Sequence, residues 1–346
     1  MSARRAAAAG ALGAAALALV AAPAASGASR TLTVEGWWPR TMAFSDRALV
    51  WTEAAPVRVD PRRIPGAPPG AQAFTYYRAE AFRTRVDRAG RRFAGTAETV
   101  VSIRTSIAGM APGALAPLPA SGLVIAPWSR RFAAPVVACC SVEGEEIEIE
   151  SDGRPDALPT AAVAWDGSAV RYVQLRPDGT QVLRRRGDPA AVITADRTRQ
   201  GLVALAPGRR AWVDPADART LRVQDDGASV RTVALPGDAV GVWASRDLTV
   251  VAARIGGRVA VLRVGTAGAQ RVWSGRRAPR VAAGGGAVAV ADGRVVWAAR
   301  SGALRRVTTA RRPVDAVAVD GRRLAWAERG LRRGARVSVL RLARIR

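Results

Sequence analysis

The chain contains no histidine, and that absence removes whole classes of chemistry. Without imidazole there is no Ser/His/Asp or Cys/His nucleophile system and no imidazole-bound metal site. A pair of carboxylates, which is what glycoside hydrolysis uses, remains possible, as does an oxygen-ligand site for Ca²⁺. Lysine and asparagine are missing too, so all 53 basic residues are arginine. Their joint loss suggests a GC-rich coding sequence, which explains arginine in place of lysine. It does not explain 53 basic residues against 28 acidic ones, a formal net charge of +25. A field of that size attracts polyanions and weakens with salt.

Cysteine is reduced to the adjacent pair Cys139 and Cys140. In an oxidising compartment two neighbours can close a strained eight-membered ring, a vicinal disulfide that stiffens a loop but links no distant segments. They can also stay reduced as small buried hydrophobes, or pair between chains. Helical periodicity is absent as well: beyond the first residues no capped i, i+3, i+4 apolar pattern is sustained. Nor does any later apolar run reach the roughly 18 residues that span a membrane. The N-terminus is the exception. Arg4 and Arg5 precede an Ala/Leu-rich stretch from Ala6 to Val20, and small residues follow to Ala28. That order predicts a secretory signal peptide over residues 1–28, leaving 29–346 as one exported, water-soluble domain.

What is present is repetition. A small-apolar run, a tight turn and a β-run with a central aromatic recur, as in Ala318-Val319-Asp320-Gly321-Arg322-Arg323-Leu324-Ala325-Trp326-Ala327. A second copy reads Val290-Ala291-Asp292-Gly293-Arg294-Val295-Val296-Trp297-Ala298-Ala299, and looser ones lead to Trp212, Tyr172 and Trp51. Two consecutive units divide into four short β-runs each, from Gly201 to Leu235 and from Val240 to Trp273. Four strands per unit of about 40 residues, with Gly/Asp turns between, is one propeller blade. From Pro279 to Ala310 three runs are clear and one is missing. The final unit has strands at Ala316–Val319, Arg323–Glu328 and Val337–Leu342 and lacks a fourth. The lone run Thr31 to Gly36 can supply it, because a ring without exposed edges needs every blade complete.

The chain therefore reads as an all-β protein, a β-propeller of four-stranded antiparallel blades closed by the N-terminal strand on the last blade. Seven blades are expected, with six or eight as alternatives. Pro61–Pro69 and Ala111–Pro127 interrupt the pattern as loops, and insertions of that kind tend to mark a functional face.

The phrase Val319-Asp320-Gly321-Arg322-Arg323-Leu324-Ala325-Trp326 resembles the PD40 repeat, the WD40-like blade of TolB-type propellers. The proline of that motif's turn is missing from both of the best copies, and no separate α/β or hydrolase domain accompanies the repeats. The resemblance implies a propeller scaffold, commonly protein- or glycan-binding, and transfers no catalytic residue.

Few residues are candidates for chemistry. In the acidic run Glu143 to Asp152, Glu146, Glu148 and Glu150 fall on one face of an alternating strand, where they could hold Ca²⁺ or an arginine-rich surface, or simply be solvated. Trp37 and Trp38 follow the closing strand, so one packs inward and the other could stack on a ligand. Trp51, Trp212, Trp297 and Trp326 read as equivalent core positions between blades. The arginine clusters Arg184-Arg185-Arg186, Arg276-Arg277, Arg311-Arg312 and Arg332-Arg333 fall in or beside turns; converging at one mouth of the ring, they would make an anion site. No aromatics interleave with them, as nucleic-acid binding would require. The expectation is a secreted, monomeric, non-catalytic binding protein of the cell envelope or extracellular space, without cofactor. It engages an anionic cell-wall polymer or a protein partner, and no specific nucleic acid. The alternatives are a carboxylate-based glycan hydrolase or lyase with its site in the central channel, or a structural partner in an envelope complex.

Overall fold

Short runs of Val, Ala and Leu bounded by Gly and Asp have too few residues for a stable helix and the right period for half-buried strands. Strands are what they form. The structure is a computed structural model that describes residues 30–36, 39–45, 47–59, 74–105, 126–128, 131–133, 142–143, 160–166, 169–175, 178–185, 192–198 and 202–345. The segment expected to be a signal peptide (residues 1–28), Trp37, Trp38, Pro61–Pro69, Cys139, Cys140, Glu146, Glu148, Glu150 and Arg186 lie outside the described residues. Of the loop expected at Ala111–Pro127, only Ala126 and Pro127 are described, and both belong to a strand.

In chain order the strands are β1 (Thr31–Glu35), β2 (Pro39–Ser45), β3 (Ala48–Val59), β4 (Phe74–Arg85), β5 (Glu98–Thr105), β6 (Ala126–Trp128), β7 (Arg131–Ala133) and β8 (Val142–Glu143). Then come β9 (Thr160–Asp166), β10 (Ala169–Leu175), β11 (Thr180–Arg185), β12 (Val192–Arg197), β13 (Val203–Ala206), β14 (Arg209–Val213), β15 (Thr220–Asp225) and β16 (Arg231–Ala234). The last are β17 (Asp238–Ser245), β18 (Leu248–Ile255), β19 (Arg258–Gly265), β20 (Gly268–Gly275), β21 (Arg280–Gly284), β22 (Ala287–Asp292), β23 (Val295–Ala299), β24 (Arg305–Thr309), β25 (Val314–Asp320), β26 (Arg323–Arg332) and β27 (Ala335–Arg344).

Four antiparallel sheets hold consecutive strands: β9 to β12, β13 to β16, β17 to β20 and β21 to β24. A fifth orders β25, β26, β27 and then β1, so the N-terminal strand is its outer member, with Thr31 opposite Arg341 and Glu35 opposite Val337. The lone N-terminal run thus pairs where the incomplete last unit needs it. Another sheet joins β2, β3, β4, β5 and β8, and β6 pairs with β7 alone. The first strand of each sheet packs on that of the next: β9 on β13, β13 on β17, β17 on β21, β21 on β25 and β25 on β2. β2 touches β6, and β6 touches β9.

The core is correspondingly divided into layers between sheets. Leu221 and Val223 meet Val251 and Leu262 in one layer; Val296 meets Val317 and Leu324 in another. Leu49, Trp51 and Phe82 pack with Val34 and Leu340 where the first long sheet meets the last. Strand β21, the run missing from the sequence pattern, is Arg-Val-Ala-Ala-Gly. Its poverty in branched residues has a steric reason. A Cβ on Gly284 would lie 2.2 Å from the Val319 carbonyl oxygen, so neighbouring first strands approach too closely for a side chain there.

The repeat itself is in a different phase from the phrase read in the sequence. Asp320-Gly321 joins the first and second strands of its sheet, whereas Asp292-Gly293 joins the second and third of its own. Trp51, Trp212 and Trp326 each occupy the fourth residue of a second strand, but Trp297 lies on the third strand β23, opposite Val290. The aromatic has moved across the pair. In three sheets a tryptophan holds the fourth position of the second strand, with an acid two residues further on. Trp51 precedes Glu53, Trp212 precedes Asp214 and Trp326 precedes Glu328.

Candidate binding face

Those acids are internal partners. The Trp51 and Trp326 indole Nε1 groups donate to Glu53 and Glu328 carboxylate oxygens, each at 3.1 Å, and both glutamates are buried. Arg341, opposite Trp326 on β27, also donates to Glu328. Arg222, opposite Trp212, binds Asp214 through Nε at 3.0 Å and Nη2 at 2.6 Å. Desolvation pushes the Asp214 carboxyl up, but the Ala216 N–H, the Arg222 guanidinium and the Asp217 N–H together hold it below the usual carboxylate range. Arg210 is almost fully buried, stacked 4.4 Å over the Trp212 ring, and reaches back to Asp196 at 3.0 Å in the preceding sheet. Burial lowers its pKa, and Asp196 opposes that shift. These groups tie strands and sheets together.

The remaining arginines are distributed unevenly. In each sheet, strand direction alternates, so the turn between second and third strands shares an end with the connection to the next sheet. This end is the connecting face. Hydrogen bonds make it continuous across two sheets: the Ala310 N–H donates to the Arg294 carbonyl at 2.6 Å and the Val314 N–H to Gly293 at 2.8 Å. The Arg329 N–H then donates to the Pro313 carbonyl at 3.0 Å. Residues 241–346 hold 23 arginines and five acids. Eleven of those arginines are exposed on the connecting face: Arg254 and Arg258 beside one turn, Arg276, Arg277 and Arg280 leading into β21, Arg294 at the next turn, Arg311 and Arg312 leading into β25, and Arg332, Arg333 and Arg336 at the β26–β27 turn. The opposite end of the same three sheets exposes seven, Arg30, Arg246, Arg300, Arg305, Arg306, Arg322 and Arg344, with Asp247 among them.

The acids near the connecting face do little to neutralise it. Asp315 and Glu328 are buried and bonded to Arg329 and Arg341. Half-buried Asp292 and exposed Glu35 and Asp238 are the others at that end in these sheets. At the adjoining sheet boundary Asp238 pairs with Arg219 at 3.0 Å beside an open cleft of about 500 Å³ lined by Ala218, Ala239, Val240 and Arg254.

Of the residues singled out in sequence, Arg276-Arg277, Arg311-Arg312 and Arg332-Arg333 come together on this one face. Arg184 and Arg185 are the last two residues of β11, Arg184 half-buried opposite Tyr172 and Arg185 exposed opposite Arg171. Sequence reading missed Arg254, Arg258, Arg280, Arg294 and Arg336, which are single residues at strand ends. The signal that could have found them is their position beside turns once the blade phase is known. Among the described residues no group of three or more acidic or cysteine side chains could hold a metal ion, and no helix is long and apolar enough to cross a membrane.

The class follows from the sheets: an all-β protein built of successive four-stranded antiparallel sheets, which fits a β-propeller. No family model and no curated protein matches the chain. Among solved structures it is similar to Hsv2 of Kluyveromyces marxianus, over 90% of this chain and 98% of that one, at 9% identity and a TM-score of 0.48. It is likewise similar to Kluyveromyces lactis Hsv2 with a complete loop 6CD, with the same coverage and identity and a TM-score of 0.44. A chain of a nidogen/laminin complex is similar over 50% of this chain and 73% of that one, at 14% identity and a TM-score of 0.35.

Proposed function

We propose that this chain is an exported, non-catalytic binding protein of the cell envelope or the space outside it, which holds an anionic polymer against its connecting face. The carrying observation is the eleven exposed arginines on that face, against seven on the other. Dense, exposed guanidinium groups on one surface attract a polyanion and release its counterions on contact. In the same three sheets Asp315, Asp320 and Glu328 are each bonded to an arginine, which supports binding over carboxylate catalysis.

The scaffold under this reading is a ring of seven blades of the PD40 kind, with β6 and β7 as the second and β1 closing the last. The series of first-strand contacts supports it, since it returns from β25 through β2 and β6 to β9. Export rests on the leader at residues 1–28.

Co-sedimentation of the mature chain with envelopes of its own organism, across a salt series, tests the function. With four arginines engaged, binding falls about a hundredfold between about 50 and about 200 mM salt. Salt-independent binding, or none, contradicts it.

A further inference from the structure

The β26–β27 ribbon outruns its sheet. On one side β1 ends at Glu35 opposite Val337, and the Gly36 N–H donates to the Arg336 carbonyl at 3.1 Å, the last link among the described residues. On the other side β25 begins at Val314, opposite Glu328, and the Arg329 N–H bond to Pro313 is the last backbone hydrogen bond of that edge among the described residues. Past the β25 edge the ribbon continues with Gly330 opposite Val337, Leu331 opposite Arg336 and Arg332 opposite Ala335. Every residue from Leu331 to Arg336 is exposed, Leu331 by 62%.

The turn at the tip is unusual in its residue choice. Arg333 has φ 50° and Gly334 φ 81°, the two left-handed positions of a two-residue hairpin turn. The first of these ordinarily takes Asn, Asp or Gly. Arg333 is the one non-glycine with positive φ among the described residues. Glycine would adopt the conformation without the steric cost that an L side chain incurs. The tip therefore carries a guanidinium where the backbone would favour none. Behind it, Arg312 lies along the ribbon: a Cβ on Gly330 would come within 2.0 Å of its Nη1.

We infer that this tip is the first contact for the polymer, and that the polymer is a linear phosphate polyanion. The inference rests on the polyanion-binding reading above. Arg332, Arg333 and Arg336 sit within one turn, with Arg312 at its base, so they grip anionic groups that recur every few ångströms along a narrow chain. Phosphate polymers present such groups along the backbone itself, each with two free oxygens that match the guanidinium fork. Carboxylates hung from sugar rings are set farther apart on a bulkier chain.

The test uses the mature chain and four probes: inorganic polyphosphate, polyglutamate, vesicles rich in anionic phospholipid, and envelopes of its own organism. Arg333→Gly is expected to raise the thermal midpoint while weakening polyphosphate binding about fivefold at low salt, lowering the slope of log affinity against log salt by about one. Arg332→Gln, which leaves the turn intact, should weaken binding similarly; Leu331→Ser and the opposite-face variant Arg322→Gln should leave it unchanged. Tight polyphosphate binding by the parent chain that Arg333→Gly and Arg332→Gln do not alter overturns the tip and leaves the polyanion reading standing. Equal affinity for polyglutamate overturns the phosphate assignment. Preference for vesicles, with loss in Leu331→Ser, overturns the polymer and makes the tip a lipid contact. No binding to polyphosphate, polyglutamate or envelopes overturns both readings.

Discussion

At the scale of single residues, the fold is held by polar pairs hidden between strands. Glu328 is buried and accepts from both Trp326 and Arg341. Arg341→Met should therefore leave an uncompensated carboxylate and cost about 3 kcal/mol in urea denaturation. Adding Glu328→Gln should recover a good part of that loss, because the buried charge is then gone. Acid should act on the sheet of β13 to β16 first. The Asp214 carboxyl is depressed despite desolvation, and Asp217 is depressed by the Thr220 hydroxyl and the Arg219 N–H. A depressed carboxyl stabilises the fold above its unfolded value of about 3.9 and loses that contribution as pH falls through the lower folded value. Stability should hold from neutral pH to about pH 5 and decline below about pH 4; a decline beginning above pH 6 would contradict this. The motif Trp-x-acid stands plainly in the sequence at Trp51, Trp212 and Trp326. The Asp-Gly turn drew attention instead, and Asp292-Gly293 belongs to a different turn from Asp320-Gly321.

At the scale of elements, the strands of the second half were legible because Val and Leu runs between Gly/Asp turns leave little alternative. β21 was not, since it is short and ends in Gly284, where the close approach of the Val319 carbonyl leaves no room for a side chain. Gly284→Val should destabilise the chain by several kcal/mol, because the obstacle is backbone and cannot swing aside. The β1–β27 pairing was legible from an incomplete last unit and a lone N-terminal run. Its register is testable in a Cys139→Ser/Cys140→Ser background. Thr33→Cys with Val339→Cys, which are opposite one another, should crosslink on mild oxidation. Leu32→Cys with Val339→Cys should not, because successive strand residues point to opposite faces.

At the scale of the molecule, net charge is visible in composition, but its direction is not. Clusters such as Arg276-Arg277 and Arg311-Arg312 converge only because alternate turns of antiparallel sheets share one end. Single arginines at strand ends, such as Arg258 and Arg294, join them for the same reason. Arg184 and Arg185 look identical in sequence, yet they sit in a strand facing Tyr172 and Arg171.

The measurement that tests this asymmetry most directly compares two variants of equal charge change. One carries Arg276, Arg277, Arg311 and Arg312 as Gln on the connecting face; the other carries Arg246, Arg300, Arg322 and Arg344 as Gln on the opposite face. Polyphosphate affinity and its salt slope should collapse in the first and hold near the parent value in the second. Equal loss in both would mean that net charge alone drives binding and that neither face is a site.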